Sequence, residues 1–131
     1  MIGLDTNVLV RFLVADDQRQ FERARRLIRH EANSGDPVPI SQLVLLECEW
    51  VLRSRYRLAK DDILAAFSGL LDSAEVRVED EACVEEALFV WKEFGAEFAD
   101  CLIGARYRAL ECGSTVSFDA KAAKLPGFHV V

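Results

Sequence analysis

Paired metal-binding cysteines, clustered histidines and long apolar runs are all missing from this chain. The four cysteines, Cys48, Cys83, Cys101 and Cys112, include no C-x-x-C pair. Each stands among apolar residues in a helical pattern, so free buried thiols in a reducing compartment are expected. The two histidines, His30 and His129, lie far apart, which argues against a zinc centre. His30 closes an arginine-rich segment and is expected to face solvent. The opening MIGLDTNVLV has no basic stretch followed by a long apolar run and a small-residue cleavage site. No apolar stretch approaches bilayer length. A cytoplasmic protein with no membrane partner is expected. Excess positive charge is missing too: 16 Lys and Arg against 22 Asp and Glu leave a net charge of −6. That balance disfavours a protein that holds nucleic acid by bulk charge. It leaves room for an enzyme whose acids carry divalent cations, which make a local positive centre.

What is present suits one domain over residues 1–131, with 51% hydrophobic residues for a core and 29% charged residues for a solvated surface. Residues 1–5 read as a short buried strand ending at Asp5, and 6–14 as a short helix that Asp5 or Thr6 caps. Residues 19–31 read as a helix with Phe21, Ala24, Leu27 and Ile28 on one face. Gly35-Asp36-Pro37 stops it before a strand at 38–40, where proline limits the hydrogen bonding. Helices follow at 41–57 and 60–71, a strand at 74–78, and an acid-led helix at 79–94. A sixth helix spans 98–111, closed by Gly113. A strand at 114–118, a helical turn at 119–124 and a strand at 128–131 complete the chain. Short apolar strands alternating with amphipathic helices point to an α/β fold with a parallel sheet covered by helices.

In such a fold, strand C-termini and helix N-termini share one edge, and ligands bind along it. Asp5 ends the first strand and Asp119 follows the fourth, although either could serve only as a helix cap. Glu47 has Leu43, Val44, Trp50 and Val51 at helical spacing, which places it on a face that looks buried. An unpaired carboxylate there costs on the order of several kcal/mol unless it is protonated, paired or metal-bound. Glu49, with Arg53 four residues on, reads instead as a surface pair of about 0.3–0.5 kcal/mol. Asp100 falls in the first turn of the sixth helix. Glu97, three residues earlier, is either an auxiliary ligand or a further first-turn acid. Gathered carboxylates raise one another's pKa. A hard divalent cation removes that conflict, and all-oxygen ligation selects Mg²⁺ or Mn²⁺. The chemistry this allows is metal-assisted phosphoryl or phosphodiester cleavage.

The segments GLDTNVLVRFL, ISQLVLLECEWVLRSRY, EFADCLIGARYRALECG and SFDAKAAKLPG resemble, in order, the motifs of PIN-domain proteins. They are most similar to the VapC-like toxins of type II toxin–antitoxin systems. The resemblance implies a three-layer α/β/α sandwich with a five-stranded parallel sheet, its first strand central. It implies a Mg²⁺- or Mn²⁺-dependent endoribonuclease leaving a 5′-phosphate and a 3′-hydroxyl, often a homodimer and held in check by a small antitoxin. It assigns the acidic metal site to Asp5, Glu47, Asp100 and Asp119, with Thr6 and Ser117 as supporting hydroxyls and Asn7 ordering the turn. Cys101 stands where alanine is common, Glu97 where aspartate is common, and no acid follows Asp119, which favours one ion.

Two other classes stay open at this point. One is a receiver-like phosphoacceptor module, against which the opening acid stands singly and the third strand ends without Asp. The other is a PIN fold that binds RNA without cutting it. A haloacid-dehalogenase-type phosphatase would need a second Asp two residues after Asp5, where Asn7 stands. Arginines cluster at positions 19, 23, 25, 26 and 29 and again at 53, 55 and 57. They are either RNA contacts or solvated helix faces.

Overall fold

A computed structural model describes residues 1–131. The chain divides into two compact units, Met1–Glu79 and Asp80–Val131.

In the first unit, helix α1 (Thr6–Leu13) starts where the Asp5 carboxylate accepts the Val8 N–H at 3.0 Å, satisfying one of the otherwise unpaired donors of the first turn. Asp17 caps α2 (Gln18–Ser34) in the same way, and the Ser41 hydroxyl caps α3 (Gln42–Ser54). Helix α4 (Lys60–Asp72) starts without a side-chain cap but carries Asp61 and Asp62 in its first turn, where the helix dipole favours them. Strand β1 (Val38–Ile40) pairs in parallel with β2 (Val76–Val78), Val38 opposite Val76 and Ile40 opposite Val78. Helix α1 packs on α2 and α3, and α4 on α3 and β2. Leu9, Ile28, Ile40, Leu45, Leu52 and Ile63 are wholly buried, with Phe67 nearly so. Each such side chain contributes about 1.5–3 kcal/mol by leaving water.

In the second unit, α5 (Glu81–Glu93) and α6 (Phe98–Ala109) pack together, with the Trp91 and Phe98 rings 5.2 Å apart and tilted by 57°. Strand β3 (Thr115–Ser117) pairs in parallel with β4 (Phe128–Val130), and a 3₁₀ turn (Ala122–Lys124) lies between them in sequence.

The parallel strands and the six helices agree with the sequence reading. The sheet differs: the chain forms two parallel pairs, β1–β2 and β3–β4, instead of one five-stranded sheet. Residues 1–5 join neither pair. That run is short, has Gly3 at its centre, which weakens a strand, and ends in a residue committed to capping α1. Helix α6 also ends earlier than expected and not at Gly113. The N–H of Glu111 donates to the Arg108 carbonyl, and that of Cys112 to the Tyr107 carbonyl. This is the Schellman pattern, with Glu111 at φ +67° in the left-handed position.

Two helical glycines should respond in opposite directions to alanine. At Gly69, exposed in α4, an added Cβ meets nothing within 4 Å, so Gly69→Ala should stabilise by about 0.5–1 kcal/mol. At Gly104, buried in α6, the Cβ would lie 2.5 Å from Cε1 of the buried Phe128 ring. Overpacking of about 1–3 kcal/mol should outweigh the helical gain there. Urea denaturation of the two variants checks the pair; equal, stabilising shifts would contradict this packing.

Candidate active site

In the second unit, three of the expected acids come together. Asp100 is the third residue of α6 and is partly buried. Its carboxyl is held above the ordinary aspartate range, first by desolvation, then by Asp119, then by Glu97. Asp119 caps the helical turn that follows it, as the sequence allowed, and its carbonyl accepts the Ala123 N–H at 3.0 Å. Its N–H donates to the Ser117 hydroxyl at 3.0 Å, and its carboxylate accepts the Lys121 N–H at 2.9 Å. These bonds fold residues 117–121 into a local side-chain-closed turn, with the Ser117 hydroxyl fixing the Asp119 backbone. Glu97 occupies the N-cap position of α6 but makes no capping hydrogen bond, so its carboxylate is not engaged by the helix end.

In the first unit, Asp5 is exposed and caps α1, Thr6 behind it is buried at 8% exposure, and Asn7 is exposed. Helix α3 reverses the expectation for its two glutamates. Glu47 is exposed, whereas Glu49 is buried at 2% exposure. Its carboxylate accepts from the Arg53 Nε at 2.8 Å. Residues two apart lie roughly 200° round a helix, so burying one glutamate turns the other outward. The apolar residues of α3 nearly encircle it, and periodicity alone could not choose between stripes. The buried stripe is Leu45, Cys48, Glu49 and Leu52, which leaves Leu43 and Trp50 exposed beside Glu47. The Cys48 thiol is pushed up to about 12 by burial and by the neighbouring Glu49, and so stays protonated and unreactive. Cys83 and Cys101 are buried as expected, but Cys112 is exposed beyond the end of α6. His30 is exposed.

No group of three or more histidine, cysteine, aspartate or glutamate side chains stands at metal-holding spacing. The chemistry of Asp100, Asp119 and Glu97 nevertheless fits a hard divalent cation. All donors are oxygens, and an ion there would relieve the part of the upward push on Asp100 that comes, after desolvation, from the charges of Asp119 and Glu97.

The family model for the PIN domain matches residues 2–127. The chain therefore belongs to the PIN-domain family, as the ordered motifs implied. Among solved structures it is similar to the crystal structure of VapC20 from Mycobacterium tuberculosis, a sarcin-ricin loop cleaving toxin. The two share 25% identity, 95% of this chain and 96% of that chain are covered, and the TM-score is 0.45. No curated protein matches the chain significantly in sequence. No helix is long and apolar enough to cross a membrane.

Two measurements test these local environments. Because Asp100 holds its proton more tightly folded than unfolded, the native state is favoured at low pH, and that advantage is lost as pH rises through the raised pKa. Asp100→Asn should therefore raise the Tm of the metal-free protein at neutral pH by the equivalent of less than about 1 kcal/mol, since solvent screens a partly exposed acid. The gain should vanish below the carboxylate range. Separately, Arg53→Met should cost about 1–3 kcal/mol by stranding the buried Glu49. Glu49→Leu with Arg53→Met should recover part of that loss. A double variant less stable than Arg53→Met alone would refute the buried pair.

Proposed function

We propose that residues 1–131 form a single PIN domain that hydrolyses RNA phosphodiester bonds as a Mg²⁺- or Mn²⁺-dependent endoribonuclease, the toxin of a type II toxin–antitoxin pair. The observation that carries this reading is the partly buried Asp100, its carboxyl pushed upward by desolvation and by the charges of Asp119 and Glu97, within a chain of the PIN family. By membership of the family, Asp5, Asp100, Asp119 and Glu47 would hold the cation directly or through water, with Glu97 as an auxiliary acid. When bound, the ion supplies stabilisation of the charge that develops on the phosphate and the leaving oxygen. The chain's own residues do the rest. Glu47, unburied and uncommitted to any ion pair, orients or deprotonates the attacking water. Ser117 fixes the backbone of Asp119, and Asp5 is held by the α1 N-terminus that it caps. Thr6, buried behind Asp5, and Asn7 set the turn.

The reading includes a homodimer, a cytoplasmic location and a small antitoxin partner. A short reading frame just upstream, encoding a DNA-binding N-terminus and a flexible tail, would support the toxin role. A receiver-like module would instead take phosphate from acetyl phosphate.

Asp5→Asn and Asp100→Asn should each lower metal-dependent RNA cleavage at least 100-fold, an order-of-magnitude expectation for removing a group that organises transition-state charge, with circular dichroism unchanged. Retention of full metal-dependent cleavage by both variants would remove this assignment.

A further inference from the structure

A cleft of about 550 Å³ opens between α1 and α2, within the first unit. That volume lies inside the usual range of about 300–1,000 Å³ for a small-molecule site. Val8, Ala24 and Leu27 give it an apolar floor, and Leu27 is 41% exposed there. Arg11, Arg23 and Arg26 line it as well. Arg11 is committed: its guanidinium bonds to Asp16, Gln20 and the Tyr56 hydroxyl. Arg23 and Arg26 are exposed and take part in no ion pair. Of the other α2 arginines, Arg25 pairs with Glu22 and Arg29 with Glu75, and Arg19 is outside the lining of the cleft. In a chain of net charge −6, two adjacent uncompensated guanidiniums over an apolar floor select an anion with a flat apolar body. Asn7 also lines the cleft and lies two residues after Asp5, so the cleft begins beside an acid of the proposed active site.

We propose that this cleft is a nucleotide subsite for a single-stranded RNA substrate. The base lies on Val8, Ala24 and Leu27, the Asn7 amide meets its edge, and Arg23 and Arg26 hold flanking phosphates. Guanidinium groups suit this task because they pair with phosphate oxygens in a fork and stack on bases. The inference rests on the ribonuclease reading above and adds where the strand is gripped.

The test measures binding separately from cleavage. Anisotropy of a labelled single-stranded RNA 12-mer is followed against salt, without metal, in the full chain carrying Asp100→Asn. Adding Arg23→Gln and Arg26→Gln should weaken binding at least tenfold at about 0.1 M salt and reduce the slope of log K against log salt by about 1.4, two single-strand phosphate contacts at about 0.7 each. Leu27→Ser should weaken binding without changing the slope. Arg19→Gln with Arg55→Gln removes the same charge outside the cleft and should leave affinity within about twofold. Equal losses in the two arginine pairs, or none in the cleft pair, would overturn the subsite. So would saturation by a free nucleoside monophosphate or an acidic peptide with no uptake of the 12-mer. If the unaltered protein cuts RNA while the cleft variants bind normally, the subsite falls and the nuclease reading stands. Binding through the cleft with no cleavage by the unaltered protein supports the subsite and removes the nuclease reading.

Discussion

Like charges held close together in a partly desolvated place are costly, and the second unit is arranged around such a place. Asp100 stands in the first turn of α6, where the helix dipole favours an anion. Burial and the charges of Asp119 and Glu97 oppose that preference, and they win, since the Asp100 carboxyl is pushed upward. The fold does not answer the conflict with a basic side chain. The cations on α6, Arg106 and Arg108, sit in its last turn and pair with Asp80 and Glu86. Asp119 uses its carboxylate to close its own turn, which orders the group without neutralising it. Acids kept ordered and unneutralised in this way, in a chain of the PIN-domain family, are what the proposed cation site rests on.

The residues that were legible in the sequence are those whose local chemistry has a single solution. Asp5 before Thr6 and the helix start at residue 41 were readable, and Asp5 and Ser41 each cap their helix. Gly35-Asp36-Pro37 separated α2 from β1 where they part. Asp100 could be placed in a first turn because Gly95 ends one helix and Phe98 begins the next. What was not legible depended on a choice that local pattern leaves open. Helix α3 offers apolar residues on nearly every side, so its burial follows from which stripe meets Leu9 and Ile63 in the core, not from its own period. Glu47 was read as the buried acid on the strength of Leu43 and Trp50, and both of these are exposed. The one signal that pointed the other way was Arg53, at the right spacing to partner a buried Glu49. The Schellman end of α6 was hidden for a similar reason. A glutamate in a left-handed conformation leaves no trace in composition, and Gly113 two residues on offered a better-looking stop.

Charge compensation also bears on how the proposed ribonuclease, with its net charge of −6, would address a polyanion. Three of the six arginines of α2 and α3 are spent on neighbours: Arg25 on Glu22, Arg29 on Glu75, Arg53 on Glu49. A surface so compensated gives little non-specific attraction, because affinity for nucleic acid in general grows with the number of phosphates neutralised. What attraction remains is local, at guanidiniums such as Arg23 and Arg26 that have no acid beside them. Under the ribonuclease reading, a surface of this kind leaves the choice of substrate to shape and to a few placed contacts.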